Sequence, residues 1–111
     1  MSRTCLIAMA AFGLVVAGSL PLQAAGDAAA GKAVYTKKCQ TCHAAEGQGN
    51  PGMAKALKVE IKHLGSPEVQ KKTDDAIKSD IVKGVGKMKP VTGLSDADTD
   101  NVIAFVRTLK Q

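Results

Sequence analysis

Residues 25–111 of this 111-residue chain contain only two aromatic side chains, Tyr35 and Phe105, and no tryptophan. Twelve of the apolar residues in that stretch are alanines. A domain of this size buries roughly 60–65% of its unfolded surface and is marginal even with a good core. This one lacks the large side chains to build such a core unaided. Something other than the chain is therefore expected to fill it. The length allows one domain and no more. A multidomain enzyme, a collagenous or disulfide-dense chain and a polytopic membrane protein are excluded by the same arithmetic.

Residues 1–24 have a different character. Arg3 gives a positive start, residues 5–20 form an apolar run, and Pro21-Leu22-Gln23-Ala24 ends on a small side chain. That order predicts a secretory signal peptide over residues 1–24, cut after Ala24 or, alternatively, after Ala25. The apolar run is short against the ~20 residues a spanning helix needs. Cys5 precedes the apolar core rather than closing it, so it does not read as a lipid-bearing cysteine. Cleavage removes Arg3 alone among the charges and takes the formal net charge from +5 to +4. Residues 25–111 are then an exported, mildly basic domain with two cysteines, Cys39 and Cys42, and no stable membrane insertion.

No part of this domain alternates strand-fashion for long enough to read as a strand. Helical spacing recurs instead, in three to four short blocks. Asp27 is a plausible N-cap for a helix reaching about Cys39, with Gly31, Val34, Tyr35 and Lys38 stepping round one face. Ser66-Pro67-Glu68 places a cap, a proline and an acid in the order of a helix start. Thr73-Asp74-Asp75 opens another, with Ile77, Ile81 and Val82 on one side and Gly84 as its stop. Ser95-Asp96-Ala97-Asp98 resembles a capping box before Val102, Phe105, Val106 and Leu109. Residues 45–52 and 84–93, rich in glycine, read as loops. The fold class is all-α, with long loops that need a common anchor.

Cys39-Gln40-Thr41-Cys42-His43 is C-x-x-C-H, the spacing of c-type haem attachment. On a helical turn the two thiols project so that each can form a thioether to one haem vinyl group. His43 then stands beneath the iron and supplies a proximal nitrogen. A thioredoxin-like C-x-x-C needs a β-α-β setting, which is missing. A structural zinc site would draw on Cys39, Cys42, His43 and His63, with neighbouring Cys42 and His43 awkward in one tetrahedron. Export, the missing aromatic core and the lack of a further thiol in residues 25–111 favour haem. Gly47-Gln48-Gly49-Asn50-Pro51-Gly52 matches a dinucleotide fingerprint by letter, but it follows a helix and has no β-α-β unit. It reads as a loop.

With that motif in place, the chain resembles the small bacterial class I monohaem c-type cytochromes across nearly all of residues 25–111. The matching pieces are Gly31-Lys32-Ala33-Val34-Tyr35, the C-x-x-C-H, Gly47-Gln48-Gly49, Gly86-Lys87-Met88, and Leu94-Ser95-Asp96 ahead of Phe105 and Val106-Arg107. The resemblance implies the cytochrome c fold: three to four short helices and long loops wrapped round one covalently attached haem c. It also implies a close crossing of the first and last helices at Gly31, Tyr35 and Phe105. The residues agree, since a glycine lets two backbones approach and the two aromatics would meet there. A further implication is that Pro51 supplies a carbonyl to the ring N–H of His43; a plain turn proline is the alternative.

Two methionines compete for the sixth iron position. Met53 follows His43 closely, in a loop leaving the proximal side. Met88 lies in the irregular segment 84–93 between two helices, which can reach over the ring. The resemblance also points to Met88, although the family commonly has proline directly after the methionine and this chain has Met88-Lys89-Pro90. His63, a lysine or an open site remain alternatives, and core filling is the plain role of a methionine. His63 itself reads as an exposed polar residue. Thioether ligation favours ferrous iron and raises the potential.

The expected function is that of a periplasmic one-electron carrier: a monomer, not an enzyme on its own, with one haem c held by Cys39, Cys42, His43 and Met88. His43 and Met88 would bind the metal. Larger redox proteins would serve as donor and acceptor. Lys37, Lys38, Lys83, Lys87 and Lys89 flank the segments that would grip the haem and could steer an acidic partner; an ordinary solvated surface is the other reading. Nucleic acid is not an expected partner, for want of interleaved aromatics. Two rival functions stay open. One is a cytochrome subunit of a larger redox complex; the other is a ligand-binding or peroxidatic haem protein with an open sixth site.

Overall fold

The computed structural model describes residues 26–111 together with Ala11, Gly13 and Leu14. The expected signal peptide thus lies almost wholly outside the described residues. Among the described residues no helix is long and apolar enough to cross a membrane. The secondary structure there consists of six helices and one isolated β-bridge, between Val85 and Met88. The helices are α1 (Ala28–Lys38), α2 (Gln40–His43), α3 (Pro51–Leu57), α4 (Pro67–Gln70), α5 (Asp74–Lys83) and α6 (Asp96–Thr108).

Most helix starts follow the local chemistry. The Asp27 carboxylate accepts from the Ala29 and Ala30 amides at the head of α1, and Lys37 and Lys38 occupy its last turn, where cations suit the dipole. The Thr73 hydroxyl accepts from the Ala76 amide at the head of α5, with Asp74 and Asp75 in the first turn. Ser95 and Asp98 form a reciprocal capping box at α6. One expectation fails. The loop assigned to residues 45–52 ends early, because the Asn50 side chain accepts from the Gly52 and Met53 amides and Pro51 opens α3. Asn-Pro is a helix-start signal, but α3 buries no residue, so no apolar stripe announces it.

Helices α1 and α6 cross in close contact. A Cβ built on Gly31 would fall 1.8 Å from the Asn101 carbonyl oxygen, so only glycine fits at the crossing. One turn on, Tyr35 is 1% exposed and its ring centroid lies 4.9 Å from that of Phe105, with the planes tilted by 56°. The aromatics meet where expected, tilted rather than parallel, which suits the ring quadrupoles.

The core cluster joins Ile77 and Ile81 of α5 to Val102, Ile103 and Val106 of α6. Val34, Cys39, Leu64, Met88, Val91 and Leu94 are partly buried against it. Two residues assigned to inner faces point outward. Val82 is 51% exposed, because Ile77 and Ile81 stand one turn apart and the next residue is rotated by about 100°. Lys38 is also exposed, leaving Gly31 and Tyr35 as the buried positions of α1.

Polar contacts fasten the linker between α3 and α5 to α6. Arg107 donates to the Gln70 carbonyl at 2.8 Å, the Lys72 carbonyl at 2.6 Å and the Asp74 carboxylate at 2.7 Å. Gln70 in turn donates through Nε2 to the carbonyls of Leu64 at 2.9 Å and Val106 at 3.0 Å.

Candidate functional site

Cys39 is the hinge of the site. It closes α1, donating its amide to the Tyr35 carbonyl at 2.9 Å, and it is also the N-cap of α2. The His43 amide donates back to the Cys39 carbonyl at 3.0 Å. One helical turn therefore carries Cys39, Cys42 and His43, as the motif predicts. Both cysteines are free and half-buried. Burial pushes the Cys39 thiol up to about 11, and the neighbouring Cys42 adds to the shift. Burial lowers the pKa of His43, so its imidazole is held in the neutral form that can ligate a metal.

The His43 Nδ1 is buried and has no hydrogen-bond partner among the described residues. The bond expected from a Pro51 carbonyl is thus not made. Pro51 is instead spent as the first residue of α3, where its fixed φ and missing N–H suit a helix start.

The turn after His43 is tightly specified. Ala44 has φ 64° and ψ 171°, a conformation that is essentially a glycine preserve and costs a side-chain-bearing residue on the order of 1–3 kcal/mol. Its amide donates to the Gln40 carbonyl at 2.8 Å. Its carbonyl accepts from the Tyr35 hydroxyl at 2.5 Å and from the Gly47 amide at 3.2 Å. Burial pushes the Tyr35 phenol up to about 12, Cys39 adding to the effect and the Gly47 backbone opposing it.

The last carbonyls of α2 are answered by the returning chain. The Gly49 amide donates to His43 at 2.8 Å, the Asn50 amide to Cys42 at 2.9 Å, and the Asn50 side-chain nitrogen to Thr41 at 3.1 Å. Asn50 thereby closes one helix and opens the next. Sequence reasoning passed over it. The Asn-Pro pair signals the cap of α3, whereas the bond back to Thr41 is a contact that spacing does not reveal.

Met88 sits on a tight turn. Val85 and Met88 exchange amide-to-carbonyl bonds of 3.0 and 2.9 Å, and Gly86 at φ 56° supplies the left-handed corner. The Val91 amide ties the far end of the loop to the Ile81 carbonyl at 2.9 Å. Met88 and Cys39 both pack against the cluster of five buried side chains. Met53 lies in α3, half-buried, and is not among the residues packed on that cluster. His63 is half-buried rather than exposed, and its Nδ1 accepts from the Gly65 amide at 2.9 Å. Among the described residues no three His, Cys, Asp or Glu side chains group to hold a metal.

Lys62, Lys72, Lys78 and Arg107 pair with Glu68, Asp80, Asp96 and Asp100, and Asp74 respectively. Lys37, Lys38, Lys83, Lys87 and Lys89 are exposed and form no ion pair among the described residues.

A family model for cytochrome c matches residues 28–110. The chain belongs to the cytochrome c family. This cytochrome is 34% identical to cytochrome c-555 of Chlorobaculum tepidum, over 96% of this chain and 95% of that one. It is 35% identical to cytochrome c6 of a Picosynechococcus species, over 96% of this chain and 92% of that one. Among solved structures, cytochrome c6 from the diatom Phaeodactylum tricornutum matches with a TM-score of 0.53 and 33% identity, covering 73% of this chain and 91% of that one. It has the all-α cytochrome c fold and is a monohaem electron carrier with one covalently bound haem c. The site residues fit that group. They offer two free thiols on one turn, a neutral imidazole whose buried Nδ1 has no partner among the described residues, and a thioether on the apolar cluster that also receives Cys39.

Proposed function

We propose that this cytochrome is a periplasmic one-electron carrier in which Cys39 and Cys42 form the thioethers and His43 and Met88 ligate the iron. The observation that carries this reading is the packing of both Cys39 and Met88 against one apolar cluster, with His43 a turn beyond Cys39. When bound, the haem supplies an iron that passes one electron by moving between Fe(III) and Fe(II). The residues supply the rest. Neutral imidazole and thioether leave both oxidation states with the same ligands, and the soft sulfur favours the ferrous one. Ile77, Ile81, Val102, Ile103 and Val106 keep water away, so charge is gained and lost with little solvent rearrangement. The capped helices on either side hold the ligands still.

Electrons pass between larger redox proteins that dock at the surface bearing Lys37, Lys38, Lys83, Lys87 and Lys89. Charge without local acidic partners steers an acidic protein, chiefly through its on-rate. Val85, 50% exposed beside Met88, gives that surface an apolar spot. The polar order of residues 1–24 supports export and cleavage, and the carrier works as a monomer without catalysis of its own.

A spectrum of the haem-loaded ferric protein tests the assignment. Low-spin ferric iron with the weak red sulfur-to-iron band, and a ferrous spectrum that carbon monoxide leaves unaltered, are the expected results. High-spin iron that binds small ligands readily would turn the reading into that of a ligand-binding haem protein. Mass spectrometry of the exported protein tests the leader: a chain beginning at Ala25 or Gly26 in the periplasm is expected, and residues 1–24 retained in the membrane fraction would refute cleavage.

A further inference from the structure

The turn that follows His43 is strained, and one side chain reaches across from another helix to hold it. Ala44 adopts φ 64° and ψ 171°, where a Cβ is disfavoured. Its carbonyl accepts the Tyr35 hydroxyl at 2.5 Å. Tyr35 is itself fixed: it is 1% exposed, and its ring packs against Phe105 of α6. The strained peptide thus hangs from the crossing of α1 and α6, where a Cβ on Gly31 would fall 1.8 Å from the Asn101 carbonyl oxygen.

We propose that the Tyr35 hydroxyl is a positioning group for the His43 imidazole, acting by holding the Ala44 carbonyl and so the backbone turn that immediately follows His43. This rests on His43 being the iron ligand. Three observations make the role specific. First, packing at the helix crossing needs only an aromatic ring, so the hydroxyl is surplus to the core; a phenylalanine would fill the same space. Second, a residue with a Cβ stays in the Ala44 conformation only where its surroundings over-determine it. Third, the His43 Nδ1 has no hydrogen-bond partner among the described residues. The ring is therefore oriented by its backbone and by packing, not by the usual hydrogen bond from its second nitrogen. The Tyr35 clamp takes over part of that task.

The test uses the haem-loaded protein and three variants: Tyr35→Phe, Ala44→Gly and the two together. The readouts are the hyperfine-shifted haem methyl and axial histidine proton resonances of the ferric form, and the reduction potential. Releasing the clamp lets the turn relax and admits water to Nδ1. Water accepting from that N–H makes the ligand more basic and favours ferric iron. Tyr35→Phe is therefore expected to shift the methyl pattern and lower the potential. Ala44→Gly alone should leave both near the parent values, since glycine holds the conformation without help. Added to Tyr35→Phe, it should bring both back toward the parent. That rescue is the signature, because a purely structural hydroxyl would give additive effects at two residues. Should Tyr35→Phe fail to load haem, recovery of loading in the double variant supports the clamp, and no recovery overturns it. An unmoved pattern and potential in Tyr35→Phe, with histidine resonances intact, overturns the clamp alone. A parent protein without axial histidine resonances overturns the His43 assignment instead.

Discussion

Gly31 and Asn101 touch backbone to backbone: a Cβ on the glycine would lie 1.8 Å from the Asn101 carbonyl oxygen and 2.9 Å from the Val102 nitrogen. The whole α1–α6 crossing depends on that absent methyl. Gly31→Ala should force the helices apart. Overpacking of this kind costs about 1–3 kcal/mol, and the better helix propensity of alanine returns at most ~1 kcal/mol. A lower denaturant midpoint is expected. An unchanged or higher midpoint would mean that the crossing gives way freely.

Haem attachment through Cys39 and Cys42 predicts that haem stays with the chain through acid-acetone extraction and a denaturing gel. Replacing both cysteines with serine should leave none. With only Tyr35 and Phe105 as aromatic filling in residues 25–111, the haem-free chain should be largely unfolded, as structural metal domains are without metal. Circular dichroism and proton dispersion decide the matter; a cooperative fold in the haem-free chain would refute it.

Met88→Ala should abolish the red sulfur-to-iron band of the ferric protein, lower the potential and open the iron to cyanide or carbon monoxide. Met53→Ala should do none of these. The reverse pattern would transfer the sixth position to Met53.

The Tyr35 phenol is shifted from 10.0 to about 12, chiefly by burial. A folded-state pKa above the unfolded one gives stability that is complete below pH 10 and is lost as pH rises toward about 12. The haem-loaded protein should therefore lose stability more steeply between those values than its Tyr35→Phe variant. Parallel pH–stability curves for the two would show that the phenol does not contribute.

Asn50 serves two helices at once, so its loss should exceed that of an ordinary cap. Asn50→Ala is expected to lower stability by about 1–2 kcal/mol. Asn50→Asp keeps the acceptor for α3 and removes only the donor to Thr41. It should fall between parent and alanine in chemical denaturation, and equality with the alanine variant would assign the whole effect to Thr41.

The motif at residues 39–43, the caps at Asp27, Thr73 and Ser95, and the crossing at Gly31 are legible in the sequence because each rests on chemistry within a few residues. What escaped is of another kind. Helix α3 packs no apolar face, so periodicity is silent about it. Val82 was misplaced because a helix stripe one residue wide cannot be told from a wider one by composition. His63 looked like a surface residue because its partner, the Gly65 amide, is a backbone group that every sequence contains. The conformation of Ala44 is the sharpest case. A hydroxyl on another helix is among its partners, and nothing in the letters near position 44 foretells a glycine-like turn. Pro51 failed differently: one residue suited two local roles, and the helix start took it.

Lys62, Lys72, Lys78 and Arg107 are answered by nearby carboxylates, while the lysines beside the C-x-x-C-H turn and the Met88 loop form no ion pair among the described residues. Uncompensated charge gathered beside a redox centre would act on the molecule as a field acts on a compass needle. A carboxylate-coated electrode would draw every molecule down by the same face, with the redox centre nearest the metal. Adsorbed films should then exchange electrons at one narrowly distributed rate, and rising salt should scatter the orientations and spread that rate before it strips the protein from the surface.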